Sequence, residues 1–495
     1  MLIIVTILVY FLLLLGISRL TSRHADNDAF YRAGRRSPWP MVAFGMVAFG
    51  MVGASISGVT FVSVPGMVLS SGMTYLQMCL GFIVGYFIVA FVLLPVYYGL
   101  NLTSIYSFLG RRLGTEAHRT GAAFFLLSKM LGAAVAFYVV CDVVFQALCG
   151  SAGTMSPAGM APEGSDSLSQ FIAYSLLVVA MTALIWLYTY RGGIKTLVWT
   201  DTLQTLCLFG ALLIIIYKVT DELGLTLGEA AHAVAGNDMS RVFVWDDWAS
   251  RQNFWKQFLS GVFVVIVMTG LDQDKMQKNL TCRTLREAQK DMCSYGFAFV
   301  PANMLFLSLG VLLSMLAESR GIALPARGDE LLPMFAASGS LGPLTVVLFT
   351  VGIVAASFST ADSALTSMTT STCVDLFGRQ ADERLRRRVH LGLSVAFAVI
   401  ILLLKYVMPG SAIDAIYTIV GYTYGPLLGL FSFALLQKAR PRGQWVPCVC
   451  IASPVACFLL SMLADAFFGY HFGYELLMLN GLLTFAGLWL IKQPR

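Results

Sequence analysis

Along the chain, long apolar runs alternate with short polar ones. The runs cover residues 2–20, 39–70, 74–99, 121–149, 169–190, 194–217, 254–272, 291–317, 340–376, 388–408, 412–437, 446–468 and 475–492. Each meets or approaches the roughly 20 residues a helix needs to cross a bilayer. The pattern therefore predicts thirteen membrane-spanning helices. The first run lacks a charged leading segment and a small-residue cleavage site, so it reads as a retained helix. Between the runs, 150–168 and 218–252 are Gly/Pro/Ser-rich or weakly amphipathic, and 328–338 suits a short helix. The stretch Asp272 to Gln289 reads as a polar surface helix.

Composition agrees with this reading. The chain is 57% hydrophobic and 12% charged, with a mean hydropathy of +0.76. Soluble domains carry roughly 25% charge. The basic residues follow alternate loops: Arg32, Arg35 and Arg36; Arg111, Arg112 and Arg119; Arg191 and Lys195; Lys275 to Lys290; Arg379 to Arg388; Lys438 to Arg442; Lys492 and Arg495. By the positive-inside rule these face the cytoplasm, which places the N-terminus outside and the C-terminus inside. The net charge of +6 is thus sorted by membrane side and carries no nucleic-acid signal. No C-x-x-C pair occurs among the ten cysteines. All five histidines fall in loops or at segment ends, which disfavours an intramembrane metalloenzyme.

One run departs from plain hydrophobicity. In the segment 355–372, the polar residues Ser359, Thr360, Asp362, Ser363, Thr366, Ser367, Thr370 and Ser371 recur at helical spacing and share a face. Ala361, Ala364, Leu365 and Met368 occupy the other face. Such a stripe suits a polar interior or a cation path, not lipid.

The second run is interrupted. Gly53 and Gly58 bracket a Ser-containing turn, and Pro65-Gly66 follow. Backbone unwound there frees carbonyls, which a membrane tolerates only where they line a cavity. The same residues also suit close helix packing. The runs carry a few ionisable side chains: Lys129, Asp142, Asp201 and Asp362, with Asp414 nearer an end. Each is a functional or a paired structural group. Asp201 and Asp362 fall at comparable depth and can face one site.

The chain resembles the sodium:solute symporter family on the stretches FYRAGRRSPW, SISGVTFVSVPG, SFLGRRLG, GGIKTLVWTDTLQ, LDQDKMQKNL and FSTADSALTSMTTSTCVDLF, which follow the family's order. The resemblance implies an all-α LeuT-type fold with two inverted five-helix repeats, here 39–217 and 254–437, of which the sequence itself shows only an interruption near Thr269-Gly270 in the first helix of the second half. Segment 1–38 would add a leading helix and loop, 218–253 an extracellular loop, and 438–495 two closing helices. It implies a Na⁺ site formed by the carbonyls of Gly53, Ile56 and Ala356 and the hydroxyls of Ser359 and Thr360. A candidate second cation site comprises Asp201, Asp362 and Ser363. The carboxylate of Asp362 stands where the family pattern has a hydroxyl, so a second Na⁺, a proton or a paired acid all remain open there.

Substrate contacts map to Ser55, Ser57 and Thr60, with Phe61, Gln77, Lys129 and Tyr422 as pocket candidates that also suit helix packing. The implied activity is Na⁺-coupled symport of a small polar organic solute (a sugar, a sialic or other organic acid, or an amino acid) by a multi-pass plasma-membrane protein. A solute sensor using the same pocket and a proton-coupled transporter are the alternatives. No base or nucleophile with a partner supports an intramembrane enzyme. The expected partners are solute, sodium ion and lipid bilayer.

Overall fold

The structure, a computed structural model, describes residues 2–21, 58–100, 102, 104–148, 167–192, 194–248, 250–379, 382–407 and 412–493. Among these residues the fold is all-helical, and the long helices coincide with the apolar runs; the principal helices are numbered here. They are α1 (Leu2–Thr21), α2 (Gly58–Ser71), α3 (Tyr75–Gly99), α4 (Thr115–Leu148), α5 (Ser167–Gly192) and α6 (Ile194–Glu222). After the loop that follows α6 come α7 (Phe254–Gly270), α8 (Gln273–Asn279), α9 (Leu285–Ser319) and α10 (Pro343–Leu376). The last are α11 (Glu383–Val407), α12 (Ala412–Thr423), α13 (Gly425–Leu436), α14 (Val446–Phe468) and α15 (Leu476–Leu490). Among the described residues eight helices are long and apolar enough to span a membrane, two more spans appear if each bent pair counts as one, and three shorter apolar helices remain.

The burial pattern is that of a protein solvated by lipid. Leu12, Leu176, Leu403 and Phe467 are exposed, while Ser359, Asp362, Thr366 and Thr370 are buried. Hydroxyls inside a helical core satisfy themselves locally. Thr360 donates to the Ala356 carbonyl, Thr369 to that of Leu365 and Thr370 to that of Thr366.

Two spans are bent. α7 and α8 meet at 68°, and α12 and α13 at 43°. The first bend follows the interruption at Thr269-Gly270 that the sequence marks. Asp272 caps α8, its Oδ1 accepting from the Asp274 amide at 2.8 Å. The carbonyls freed by the break find phenols. Tyr97 donates to Gly270 at 2.9 Å and Tyr106 to Leu271 at 2.8 Å.

α8 corrects the expectation of a polar surface helix over Asp272 to Gln289. Every residue from Gln273 to Asn279 is buried. Its polar groups reach partners on other helices, including Thr370 of α10, which accepts from Gln277 Nε2 at 3.1 Å. The expected short helix near 328–338 is present as a turn at Gly328–Glu330 followed by Leu331–Ala336.

Some helices touch backbone to backbone. A Cβ on Gly81 of α3 would collide with the Phe258 carbonyl of α7, and one on Gly261 of α7 with the Met78 carbonyl of α3. Gly310 of α9 lies in the same way against the Pro65 carbonyl of α2.

Candidate functional site

At the centre of the bundle is a cavity of about 150 Å³. One wall is aromatic and apolar, with Tyr75, Tyr86, Tyr295 and Tyr417. The polar part brings together Thr60 of α2, Ser128 and Lys129 of α4, Asp272, Asp274 and Lys275 around the α7–α8 break, Thr360 of α10, and Tyr424 at the α12–α13 bend. The Lys129 ammonium lies 3.1 Å from Asp272 Oδ2 and 2.7 Å from Asp274 Oδ2. Tyr424 Oη donates to the same Asp272 oxygen at 2.8 Å. The lysine expected as a pocket residue is therefore already engaged by two carboxylates of this chain.

Next to the cavity, α10 presents the expected sodium ligands. Thr360 Oγ1 donates to the Ala356 carbonyl at 3.1 Å, which sets those two oxygens side by side. Ser359 Oγ donates to Asp201 Oδ1 at 2.7 Å. Both hydroxyl protons are directed elsewhere, so oxygen lone pairs remain for a hard cation. Gly58, the first described residue of α2, is pressed against Ser357, and a Cβ on it would collide with that hydroxyl. The start of α2 thus abuts the turn of α10 that carries Ala356, Ser359 and Thr360. Gly53, Ser55, Ile56 and Ser57 lie outside the described residues.

One turn further along α10 is a second cluster. Asp201, Asp362 and Ser363 are brought together and fully buried. Tyr188 of α5 donates to Asp362 Oδ2 at 2.6 Å, and Ser363 Oγ donates to Asp362 Oδ1 at 3.2 Å. Into this cluster α8 delivers Lys278. Its ammonium lies 2.8 Å from Asp201 Oδ2, 2.6 Å from Ser363 Oγ and 4.0 Å from Asp274 Oδ1.

Three pocket candidates lie elsewhere. Phe61 packs against Phe306, Phe349 and Gly352. Gln77 fastens the loop before α7: its amide donates to the Thr74 and Gln252 carbonyls and its oxygen accepts from the Val244 amide. Tyr422 faces Phe458 of α14. None of the three is among the cavity-lining residues, and Tyr422 and Tyr424, two positions apart, face different ways. Sequence reasoning missed Asp272, Asp274, Lys275, Lys278, Tyr188 and Tyr424. The interruption before Leu271 was the available signal for the first four, since a broken span needs polar partners inside the bundle.

Residues 166–440 match the model of the sodium:solute symporter family. The chain belongs to that family. Among its relatives, this family member is 26% identical over 405 residues to the rabbit (Oryctolagus cuniculus) sodium-dependent multivitamin transporter, across 79% of the chain and 59% of the relative. It is 23% identical over 449 residues to the human (Homo sapiens) sodium/iodide cotransporter, across 86% of the chain and 63% of the relative. The chain thus spans about three-fifths of the length of these relatives. In fold the family member is similar to a Na⁺-coupled sialic acid symporter solved in a substrate-bound outward-open state. The TM-score is 0.74 at 19% identity, covering 99% of this chain and 97% of that one. A weaker likeness, TM-score 0.54 at 14% identity over 94% of each chain, links it to Mhp1, a nucleobase-cation-symport-1 family transporter solved in a closed conformation.

Proposed function

We propose that this chain is a Na⁺-coupled symporter of a small organic solute, working by alternating access in the plasma membrane. The observation that carries the reading is the placement of the Ala356 carbonyl and the Ser359 and Thr360 hydroxyls on one turn of α10, beside a cavity that Thr360 also lines. Sodium is a hard cation that takes oxygen ligands. On this reading Gly53 and Ile56 complete its shell from the segment before α2, and the ion joins the cavity wall to the scaffold. Each ligand then raises the affinity for the other by the same factor.

The solute sits in the cavity with an apolar or ring-like body against Tyr75, Tyr86, Tyr295 and Tyr417 and a polar end toward Thr60, Ser128 and the Lys129–Asp272 pair. Ser55 and Ser57 are further candidate contacts. The two lysines and two aspartates on the wall balance in charge, which suits a solute bound through hydrogen bonds more than one bound through a single unpaired cation. The names of the vitamin- and iodide-carrying relatives and of the sialic acid symporter support solute transport by this scaffold. The family fold also supports thirteen spans, an outside N-terminus, an inside C-terminus and repeats over 39–217 and 254–437.

The test is uptake by proteoliposomes of the full chain. A panel of labelled sugars, sialic acids, amino acids, vitamins and monocarboxylates is offered under an inward Na⁺ gradient. At least one is expected to accumulate and to stop when choline replaces Na⁺. Movement of none of them, by protein that still counterflows none, would remove the reading.

A further inference from the structure

We infer that Lys278 is a tethered cation that fills the second cation site, so that Asp201, Asp362 and Ser363 hold the protein's own ammonium and not a second Na⁺. The inference rests on the sodium-coupled reading above and fixes its stoichiometry at one ion per solute.

The geometry is that of an occupied site. The Lys278 ammonium is within hydrogen-bond distance of Asp201 Oδ2 and Ser363 Oγ, two of the three groups expected to bind the ion. The third, Asp362, is joined to the same centre through Ser363 Oγ, which accepts from Lys278 and donates to Asp362. The remaining Asp362 oxygen is satisfied by Tyr188. A Na⁺ bound to these ligands would sit within a few ångströms of the ammonium, with no water to screen it, because the side chains of Lys278 and Asp201 are 1% and 0% exposed. Like charges at that range in a buried site exclude one another.

The position of the lysine gives the arrangement a purpose. Lys278 rides on α8, beyond the 68° bend, while its ligands stand on α6 and α10. A free ion would leave with each cycle, whereas this one is attached to the half-helix whose first turn faces the solute cavity. Asp201 is shared: one oxygen holds Lys278 and the other accepts the proton of Ser359, the sodium ligand. The tethered charge therefore fixes the acceptor that orients a ligand of the first site. A lysine that only cross-linked helices would need a single carboxylate; this one is inserted among the full predicted ligand set.

The experiment counts sites by equilibrium binding of ²²Na⁺ to the purified full-length protein in nanodiscs, with choline holding ionic strength constant. Lys278→Gln is expected to bind one more Na⁺ per chain than the unaltered protein. Lys278→Met keeps the length of the side chain without its charge; it is expected to show the same gain and serves if the Gln variant does not fold. Lys278→Arg, which keeps the charge, is expected to gain none. Folded Gln or Met variants with no added site would overturn the inference, as would an equal gain in the Arg variant. The two readings separate cleanly: the absence of any saturable site in the unaltered protein counts against the sodium reading, while the difference between it and the variants judges the tethered cation.

Discussion

α10 is a long apolar helix with hydroxyls set into one face, whereas α8 is a seven-residue helix on which most side chains are polar, yet both are buried. They reach burial by different routes. The hydroxyls of α10 return their protons to carbonyls one turn back, as at Thr360, Thr369 and Thr370, so the helix is largely satisfied by itself. The charges of α8 and of its cap, Asp272, have no such local option. They draw partners from α4, α6, α10 and the α12–α13 bend. The contrast teaches that the stripe provides ligands, while the half-helix provides the counter-charges that hold several elements in one arrangement. Changes around α8 should therefore be read first in stability, and changes in the stripe first in ion dependence.

The largest effect that could break this contrast is expected at Asp201. Asp201→Ala leaves the Lys278 ammonium buried without its counter-ion, and removing one partner of such a pair costs about 3–5 kcal/mol. Thermal unfolding of the detergent-solubilised protein should show this loss, and Asp201→Ala/Lys278→Met should recover most of it. A double variant no more stable than the single one would mean that Lys278 is held by something else.

Next in size is Tyr424. Tyr424→Phe removes a hydrogen bond to a charged group, about 1.5–3 kcal/mol, and should weaken both stability and solute uptake. Tyr422→Phe, only two positions earlier but facing α14, should leave uptake unchanged; an equal loss of uptake would undo the assignment of the cavity wall.

The stripe then sharpens the comparison from its own side. Ser359→Ala and Thr360→Ala should each raise the Na⁺ concentration for half-maximal uptake by about tenfold, or about 1.4 kcal/mol, with solute recognition at saturating Na⁺ nearly unchanged. Unaltered Na⁺ activation in both would remove the proposed sodium ligands. Smallest is Thr370→Val, which loses the bond from Gln277 that ties α8 to α10. It should cost about 0.5–1.5 kcal/mol in thermal unfolding and leave Na⁺ activation as it was.

The same contrast explains what was legible in the sequence. The stripe of α10 stood out because eight hydroxyl and carboxyl residues kept helical phase inside an apolar run. Its depth, its partner Asp201 and the break after Thr269 could be read the same way. α8 could not, because seven residues with two lysines and an aspartate look like a solvated loop taken by themselves, and only the break before them hints at a place inside the bundle. Its burial is a tertiary fact, set by Lys129, Asp201, Tyr97 and Tyr106 at far removed positions. Tyr424 was missed for a related reason: it sits at the α12–α13 bend, beside a Gly-Pro pair whose angle no periodicity reveals. Gln77 and Phe61 lay on the expected helices but face the loop before α7 and the packed core.

The glycine contacts between α3 and α7, and between α2 and α9, have a mechanical consequence. Where backbone rests on backbone, no side chain can change rotamer to let the two helices slide. Those joints are stiff, in the way a welded seam is stiffer than one filled with putty. Whatever travel the protein needs must be taken up at the seams padded by larger side chains, so the helices joined through Gly81, Gly261 and Gly310 are built to be carried together.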